Sequence, residues 1–392
     1  MHRRAYLRTS SVAGIGTLAG CTGSLFDDQE APNDDDQRGA DDDGGPAPDA
    51  TDDGTESDED HPMTGDAREG WLLSGVTGDS INAFEEWLGR PHAVYGTFVN
   101  IGRDEVEGTV ESRLGNRWDR GQVPHLWWQP FIPDREGTSD EINIEIAAGE
   151  HDDVIEAWAA AIADWAIVDD GPDRRVYLNL APEMNGDWSP WSPALGDDDE
   201  EDFVAMWRHV HDLVHETELA ADHVQWIWTL DNTTRGVNRR EVYPGDDYVD
   251  WAGIHGYNWA NWGGWRSAEE VYGSTVEMIR SITDNPIALT EFGTSSETDD
   301  GDHDPDKKDA WIADAFAYLR AEEVRMAMWF NITKETDWPV FDGEYGVETI
   351  DIDDETYNVY PAYKEAITAE GVLGPDPEEP RLLTDAEFAG VF

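Results

Sequence analysis

Eight short apolar runs, each separated from the next by a longer segment, constrain this chain more than anything else in it. They are Leu72–Val76, Ala93–Val99, His125–Phe131, Arg175–Pro182, Val224–Asp231, Trp251–Asn258, Ile287–Phe292 and Arg325–Ile332. Each has the length and the β-branched or aromatic content of a buried strand. Between them the apolar spacing changes to the 3.6-residue period of a helix. Val154, Ile155, Trp158, Ala161, Ile162 and Trp165 form one stripe, and Trp311, Ile312, Ala315, Phe316 and Leu319 another. Strict alternation of strand and helix is the pattern of α/β folds. Eight such units over about 300 residues predict a (β/α)8 TIM barrel, a single domain spanning residues 67–370. A doubly wound sheet needs a glycine-rich phosphate loop after its first strand, and this sequence has none there.

The flanks read differently. Arg3, Arg4 and Arg8 precede an apolar run, Ser11–Gly20, that is too short to span a bilayer. Residues 1–21 resemble a twin-arginine export signal ending in a lipobox, with Cys21 as the expected lipidation site. Cys21 is the only cysteine, so no disulfide can form within the chain. Residues 22–66 are acidic and low in complexity, without enough apolar surface to offset the entropy of ordering, and predict a disordered tether. Residues 371–392, rich in proline and acid, predict a loose C-terminal tail. The implied location is the outer face of the cell membrane, with the lipid anchor as the only membrane contact and the folded domain a monomer.

Charge excludes one class of function. Against 87 Asp and Glu stand 26 Lys and Arg, a formal charge of −61. No basic face remains with which to neutralise phosphates, so nucleic acid is not a partner. Acidity on this scale, with Lys307, Lys308, Lys334 and Lys364 as the only lysines, predicts adaptation to high salt. Self-repulsion that destabilises a compact state in dilute buffer fades when the Debye length falls to about 3 Å at molar salt.

In a barrel, the residues at the C-terminal strand ends meet at one mouth. Here the fourth strand leads to Glu183, with Asn185, Trp188 and Trp191 just beyond it. The seventh ends at Glu291. The sixth carries His255, Tyr257 and Trp259, the third ends at Gln129, and the eighth bears Trp329 and Asn331. Two carboxyl groups on one cleft are what glycoside hydrolysis needs, one protonated and one ionised. Amides and indoles suit a sugar, whose hydroxyls bond to amides while its C–H faces pack on rings.

The stretch Leu180-Ala-Pro-Glu183-Met-Asn-Gly-Asp-Trp188-Ser-Pro-Trp191 resembles the acid/base signature of glycoside hydrolase family 26, best known for β-mannanases. Leu289-Thr-Glu291-Phe-Gly293 is similar to that family's nucleophile strand. Tyr243-Pro-Gly-Asp-Asp-Tyr-Val-Asp-Trp251 and Gly256-Tyr-Asn-Trp259 also follow its pattern, and the likeness runs from about Trp71 to Tyr363. The resemblance implies a retaining mechanism, with Glu183 as acid/base and Glu291 as nucleophile. It also implies Tyr257 set against the nucleophile, and Trp188 and Trp329 lining sugar subsites. The substrate it implies is a β-linked polysaccharide, with β-1,4-mannosidic bonds cut inside the chain and no cofactor. Two positions depart from the pattern. Pro182 stands where many family mannanases have histidine, and His255 stands where many have aspartate. Alternation places His255 on the same face as Tyr257, toward the barrel interior.

Other readings compete. The same chemistry could serve a mixed-linkage glucan or a xylan, and a non-catalytic surface glycan-binding protein could keep the fold. Such a binder has no need for both glutamates and the tyrosine. His211 and His215 have the spacing of a zinc helix, but Asp212 stands where the catalytic glutamate belongs and the helix lies outside the barrel. Asp300, Asp302, Asp304 and Asp306 alternate like a calcium loop without its closing glutamate, and read as a solvated acidic loop with no metal site.

Overall fold

The computed structural model describes residues 67–102, 106–195, 198–233 and 235–392. The expected export signal, Cys21 and the expected acidic tether lie outside them. Eight parallel strands close into a barrel: β1 (Leu72–Gly78), β2 (Val94–Asn100), β3 (Val123–Gln129), β4 (Val176–Leu180), β5 (Val224–Asp231), β6 (Trp251–Asn258), β7 (Ile287–Thr294) and β8 (Met326–Asn331). Each strand pairs with the next, and β1 pairs with β8 from Leu73↔Met326 to Gly78↔Asn331. The expected (β/α)8 barrel is therefore present, with strand boundaries within about two residues of those read from the sequence.

Strand alternation sorts the side chains into two cores. Leu73, Val94, Val123, Tyr177, Ile227, Trp251, Ala288 and Met326 point inward and fill the barrel. Leu72, Leu126, Leu178, Trp226, Trp228, Ile254 and Leu289 point outward, against the helices. Those helices include Asp152–Ala166, Glu200–Val214, Ala268–Arg280 and Pro305–Ala321. Their starts are set by capping. Asp199 and Ser267 form capping boxes, and Asp304 accepts from the Lys307 N–H at 3.0 Å with Pro305 in the first turn. Part of the alternating aspartate run is thus a helix start. His211 and His215 pack on the outer wall, where His215 Nε2 accepts from the Trp226 indole at 3.0 Å.

The C-terminal segment corrects the expectation of a loose tail. Val372 and Leu373 pair in parallel with Leu72 and Leu73. Beyond them Leu383 and Phe388 are buried in the inner core, so the segment plugs the N-terminal end of the barrel. Arg175 is fully buried and donates to the Leu383 and Thr384 carbonyls at 2.9 Å, and Tyr177 donates to the Phe388 carbonyl at 3.0 Å. Proline and acid mark the connecting loop, while a few apolar residues supply the plug. Composition averaged over the segment hid them.

Candidate active site

At the opposite end, β4 stops at Leu180 and the backbone turns sharply. Ala181 (φ 44°) and Glu183 (φ 59°) both lie in the left-handed region, at a cost of about 1–3 kcal/mol each for residues other than glycine. The surroundings hold them there. The Ala181 N–H donates to the Trp128 carbonyl and the Glu183 N–H to the Thr229 carbonyl, both at 3.0 Å. The Trp191 indole donates to the Pro182 carbonyl at 2.8 Å. Asn185 then laces the turn to β5, donating to the Asp231 and Thr233 carbonyls and accepting from the Asp231 N–H, each at 2.8 Å. The motif after β4 is thus largely a device for presenting one carboxylate.

On β7 the alternation breaks. Leu289 pairs with Ile254 but Glu291 with His255, so one extra residue, Thr290, sits in the strand. The irregularity recurs against β8, between Leu289 and Phe292. A bulge of this kind lets two successive side chains share a face. Thr290 meets Thr229 inside the barrel at 3.2 Å, and Glu291 still reaches the mouth.

The two glutamates then meet around His255. Its Nδ1 lies 2.8 Å from Glu183 Oε1 and its Nε2 3.6 Å from Glu291 Oε1. Ligand atoms of all three residues fall within 4.8 Å of one another. Glu183 Oε2 accepts from the Trp188 indole at 2.7 Å, and Glu291 Oε2 from the Tyr257 hydroxyl at 2.6 Å. The Trp127 indole donates to His255 Nε2 at 3.2 Å. Room for Trp127 inside the barrel comes from Gly96, where a Cβ would lie 2.1 Å from the indole ring.

Burial decides the electrostatics, because Glu183, His255 and Glu291 are 3%, 1% and 6% exposed. Burial pushes the Glu183 carboxyl up, but the His255 bond and charge, the Trp188 N–H and the Lys334 charge more than offset it and hold it below the usual range. Burial raises Glu291 as well; there the charge of Glu183 adds to the rise, and His255, Tyr257 and Lys334 only partly offset it. Desolvation pulls His255 down, yet the flanking carboxylates of Glu291, Glu183 and Asp231 raise it overall. Asp231, at the end of β5, is pushed up to about 6 by burial and then by Glu183. One mouth thus holds carboxyl groups whose proton affinities diverge, as paired acid and base chemistry requires.

Not every residue expected at the mouth offers a face to a ligand. Trp188 and Trp259 are half-buried at the rim, and the Trp259 indole is held by Glu297 Oε2 at 2.6 Å. Trp191 and Trp329 are fully buried, which corrects their assignment as sugar platforms. Trp191 packs on Phe131, and Trp329 packs on Phe292 and donates to the Trp338 carbonyl. Asn185 is equally buried, and its bonds are to backbone. Gln129 is 2% exposed at the end of β3. Asn331 binds the backbone of Val340 and Phe341.

Other residues at the site carried weaker signals in the sequence. Trp338 packs on Tyr257 with ring centroids 4.8 Å apart, from a loop with no strand or helix pattern to place it. Trp262 joins both from a short turn after β6. Asp231 was legible as the last residue of a predicted strand. Lys334 was legible only as a rare lysine beyond β8.

Residues 120–302 match the model of glycosyl hydrolase family 26. Endoglucanase H of Acetivibrio thermocellus is 27% identical over 281 residues, covering 69% of this chain and 28% of that protein. The β-1,3-xylanase TXYA of a Vibrio species is 32% identical over 84 residues, covering 21% of this chain and 16% of that one. The chain therefore spans less than a third of the length of these curated relatives. Among solved structures, the catalytic domain of the Bacillus sp. JAMB-750 GH26 endo-β-1,4-mannanase has a TM-score of 0.60 at 17% identity, covering 80% of this chain and 90% of that one. A Cellulomonas fimi endo-β-1,4-mannanase double mutant has a TM-score of 0.56 at 17% identity, covering 78% and 72%. At this identity the structural likenesses speak for the barrel, and the family match falls on the stretch that carries both glutamates. Residues 120–302, which carry both glutamates, are thus similar to glycosyl hydrolase family 26, and the chain folds as a (β/α)8 barrel.

Proposed function

We propose that this domain hydrolyses a β-linked glycan with retention, through Glu183 as acid/base and Glu291 as nucleophile. The observation that carries the reading is the close pair of buried carboxylates, each fixed by its own donor: Trp188 for Glu183 and Tyr257 for Glu291. Oxygen atoms of the two groups lie within 4.8 Å. That closeness is in keeping with the separation of about 5–5.5 Å at which the second carboxylate attacks the sugar. Glu183 protonates the glycosidic oxygen while Glu291 bonds to the anomeric carbon. Glu183 then takes a proton from the water that releases the sugar. The Tyr257 hydroxyl keeps Glu291 aimed and spreads its charge.

The proposed substrate is a mannan-type chain with β-1,4 linkages, on the strength of the motif resemblance around Glu183 and Glu291. A second reading, a β-glucan, is favoured by the 281-residue alignment with a protein named an endoglucanase and by the Pro182 and His255 departures. Incubation with mannan, glucomannan, mixed-linkage glucan and xylan at molar salt, followed by product analysis, decides between them. Anomeric NMR of the first products tests retention. No release from any of the four polymers would overturn the enzymatic reading and favour a glycan binder.

Export by a twin-arginine-type route and lipid anchoring at Cys21 are proposed on the sequence of residues 1–21. Partition of Cys21→Ser into the medium, with the unaltered chain in the membrane fraction, is the expected result. Equal partition of the two would refute the anchor.

A further inference from the structure

The roles just proposed need a proton on Glu183 and a charge on Glu291. The hydrogen bonding describes the opposite arrangement. An indole N–H can only donate, so the Trp127 bond makes His255 Nε2 an acceptor and puts the imidazole proton on Nδ1. Nδ1–H then donates to Glu183 Oε1 at 2.8 Å, while the Trp188 N–H donates to Oε2. Both oxygens of Glu183 accept, as an ionised carboxylate does. On Glu291 the Tyr257 hydroxyl occupies Oε2, leaving Oε1 as the oxygen that faces His255 Nε2, 3.6 Å away.

We propose that His255 is a proton relay that converts this resting pair into the reactive one. The proton on Glu291 Oε1 passes to His255 Nε2, and the proton on His255 Nδ1 passes to Glu183 Oε1. The Glu291 O–H and Nδ1–H bonds break, and the Nε2–H and Glu183 O–H bonds form. The imidazole stays neutral and changes tautomer, one negative charge moves from Glu183 to Glu291, and no proton is drawn from solvent. The relay presupposes the retaining reading above. It requires the 3.6 Å gap to tighten, as contacts in free enzymes commonly do when substrate binds.

The surroundings support the direction. Burial favours the proton on Glu291, and the His255 and Trp188 bonds favour charge on Glu183. The groups facing His255 from other strands are Asp231 on β5 and His125 and Trp127 on β3, and the Lys334 charge reaches both glutamates from beyond β8. His125 is fully buried and pulled down to about 3, chiefly by burial, so it stays neutral and offers no rival charge. The Trp127 N–H opposes a proton on Nε2 and so holds the free enzyme in the resting tautomer. Developing positive charge at the anomeric carbon reverses the balance by favouring ionised Glu291.

Two measurements test the relay on the full chain at molar salt. Infrared difference spectra of each variant against the unaltered free protein should show a protonated-carboxyl band that is lost in Glu291→Gln and kept in Glu183→Gln, apart from any bands of Asp231 and Glu85 common to all three proteins. Loss of the band in Glu183→Gln instead would overturn the resting state, whatever the substrate proves to be. His255→Gln keeps a donor for Glu183 but cannot relay. It should lose at least tenfold on polysaccharide at every pH, while turnover of an aryl glycoside with a good leaving group recovers as pH rises and Glu291 ionises on its own. An equal loss on both substrates with unchanged pH limbs would show a merely structural histidine. Failure of the unaltered protein on every glycan would instead refute the hydrolase reading and leave the infrared result standing.

Discussion

Lys308 offers the sharpest test of how the mouth is held together. It sits in the first turns of helix Pro305–Ala321, fully buried, in a chain that has only four lysines. Its ammonium donates to the carbonyls of Asp337, Trp338 (3.1 Å) and Pro339 (3.0 Å), lies 3.4 Å from Asp337 Oδ2 and faces the Tyr360 ring at 4.6 Å. Asp337 in turn accepts from Ser295 Oγ at 2.7 Å and the Ser296 N–H at 3.0 Å. One cation thus fixes the loop that carries Trp338 against Tyr257. Burial pulls Lys308 down to about 8, which still leaves it charged at neutral pH.

Lys308→Met keeps the length and removes the charge. The Asp337 carboxylate, 5% exposed, loses its cation, and three carbonyls lose their donor. Breaking a buried pair from one side costs about 3–5 kcal/mol. Urea unfolding at molar KCl, followed by tryptophan fluorescence, should show a loss of that size with an unchanged m value. Adding Asp337→Asn removes the stranded charge, so the double variant should recover part of the loss. A single-variant loss below about 1 kcal/mol, or a fully additive double variant, would refute the cage as the anchor of this loop.

Five further outcomes are expected. Glu291→Ala should abolish turnover while oligosaccharide binding stays measurable by calorimetry, and Glu183→Gln should spare aryl glycosides with good leaving groups relative to polysaccharide; equal losses contradict the assigned roles. His92 and His125, both held near 3 by burial, refuse protons that the unfolded chain binds below its ordinary value of 6.5. Stability should therefore fall as pH drops from about 6.5 toward 3, and His92→Gln should flatten that slope in denaturation midpoints. Glu85, raised to about 7 by burial, works the other way between 4.5 and 7, and Glu85→Gln should steepen the net acid slope. In dilute buffer the domain should unfold as screening weakens, and a circular-dichroism melt unaffected by salt would contradict the reading of its charge.

Much of the barrel was legible because strand and helix periods differ and the apolar residues keep both. Glu183 and Glu291 were legible because they end buried strands, where a carboxylate has no packing role. What escaped notice depends on tertiary closure. Alternation puts His255 inward but cannot say that its ring spans both glutamates. The Thr290 bulge has no local mark, since a threonine suits a regular strand as well. Trp191 and Trp329 look like Trp188 in sequence, and only the folded turn shows that their indoles serve carbonyls inside the protein. The apolar residues that plug the barrel were masked by the acid around them.

That plug bears on how the protein comes to be folded. Arg175, just before β4, and Tyr177 on β4 find their partners in Leu383, Thr384 and Phe388, more than two hundred positions later. A chain emerging from the ribosome can pair its early strands, but the barrel floor stays open, with a buried-type arginine facing water, until Phe388 has been made. Completion of the fold therefore waits for the segment from Leu383 to Phe388. Truncations or fusions placed just before Leu383 should trap a barrel that has a mouth and no floor.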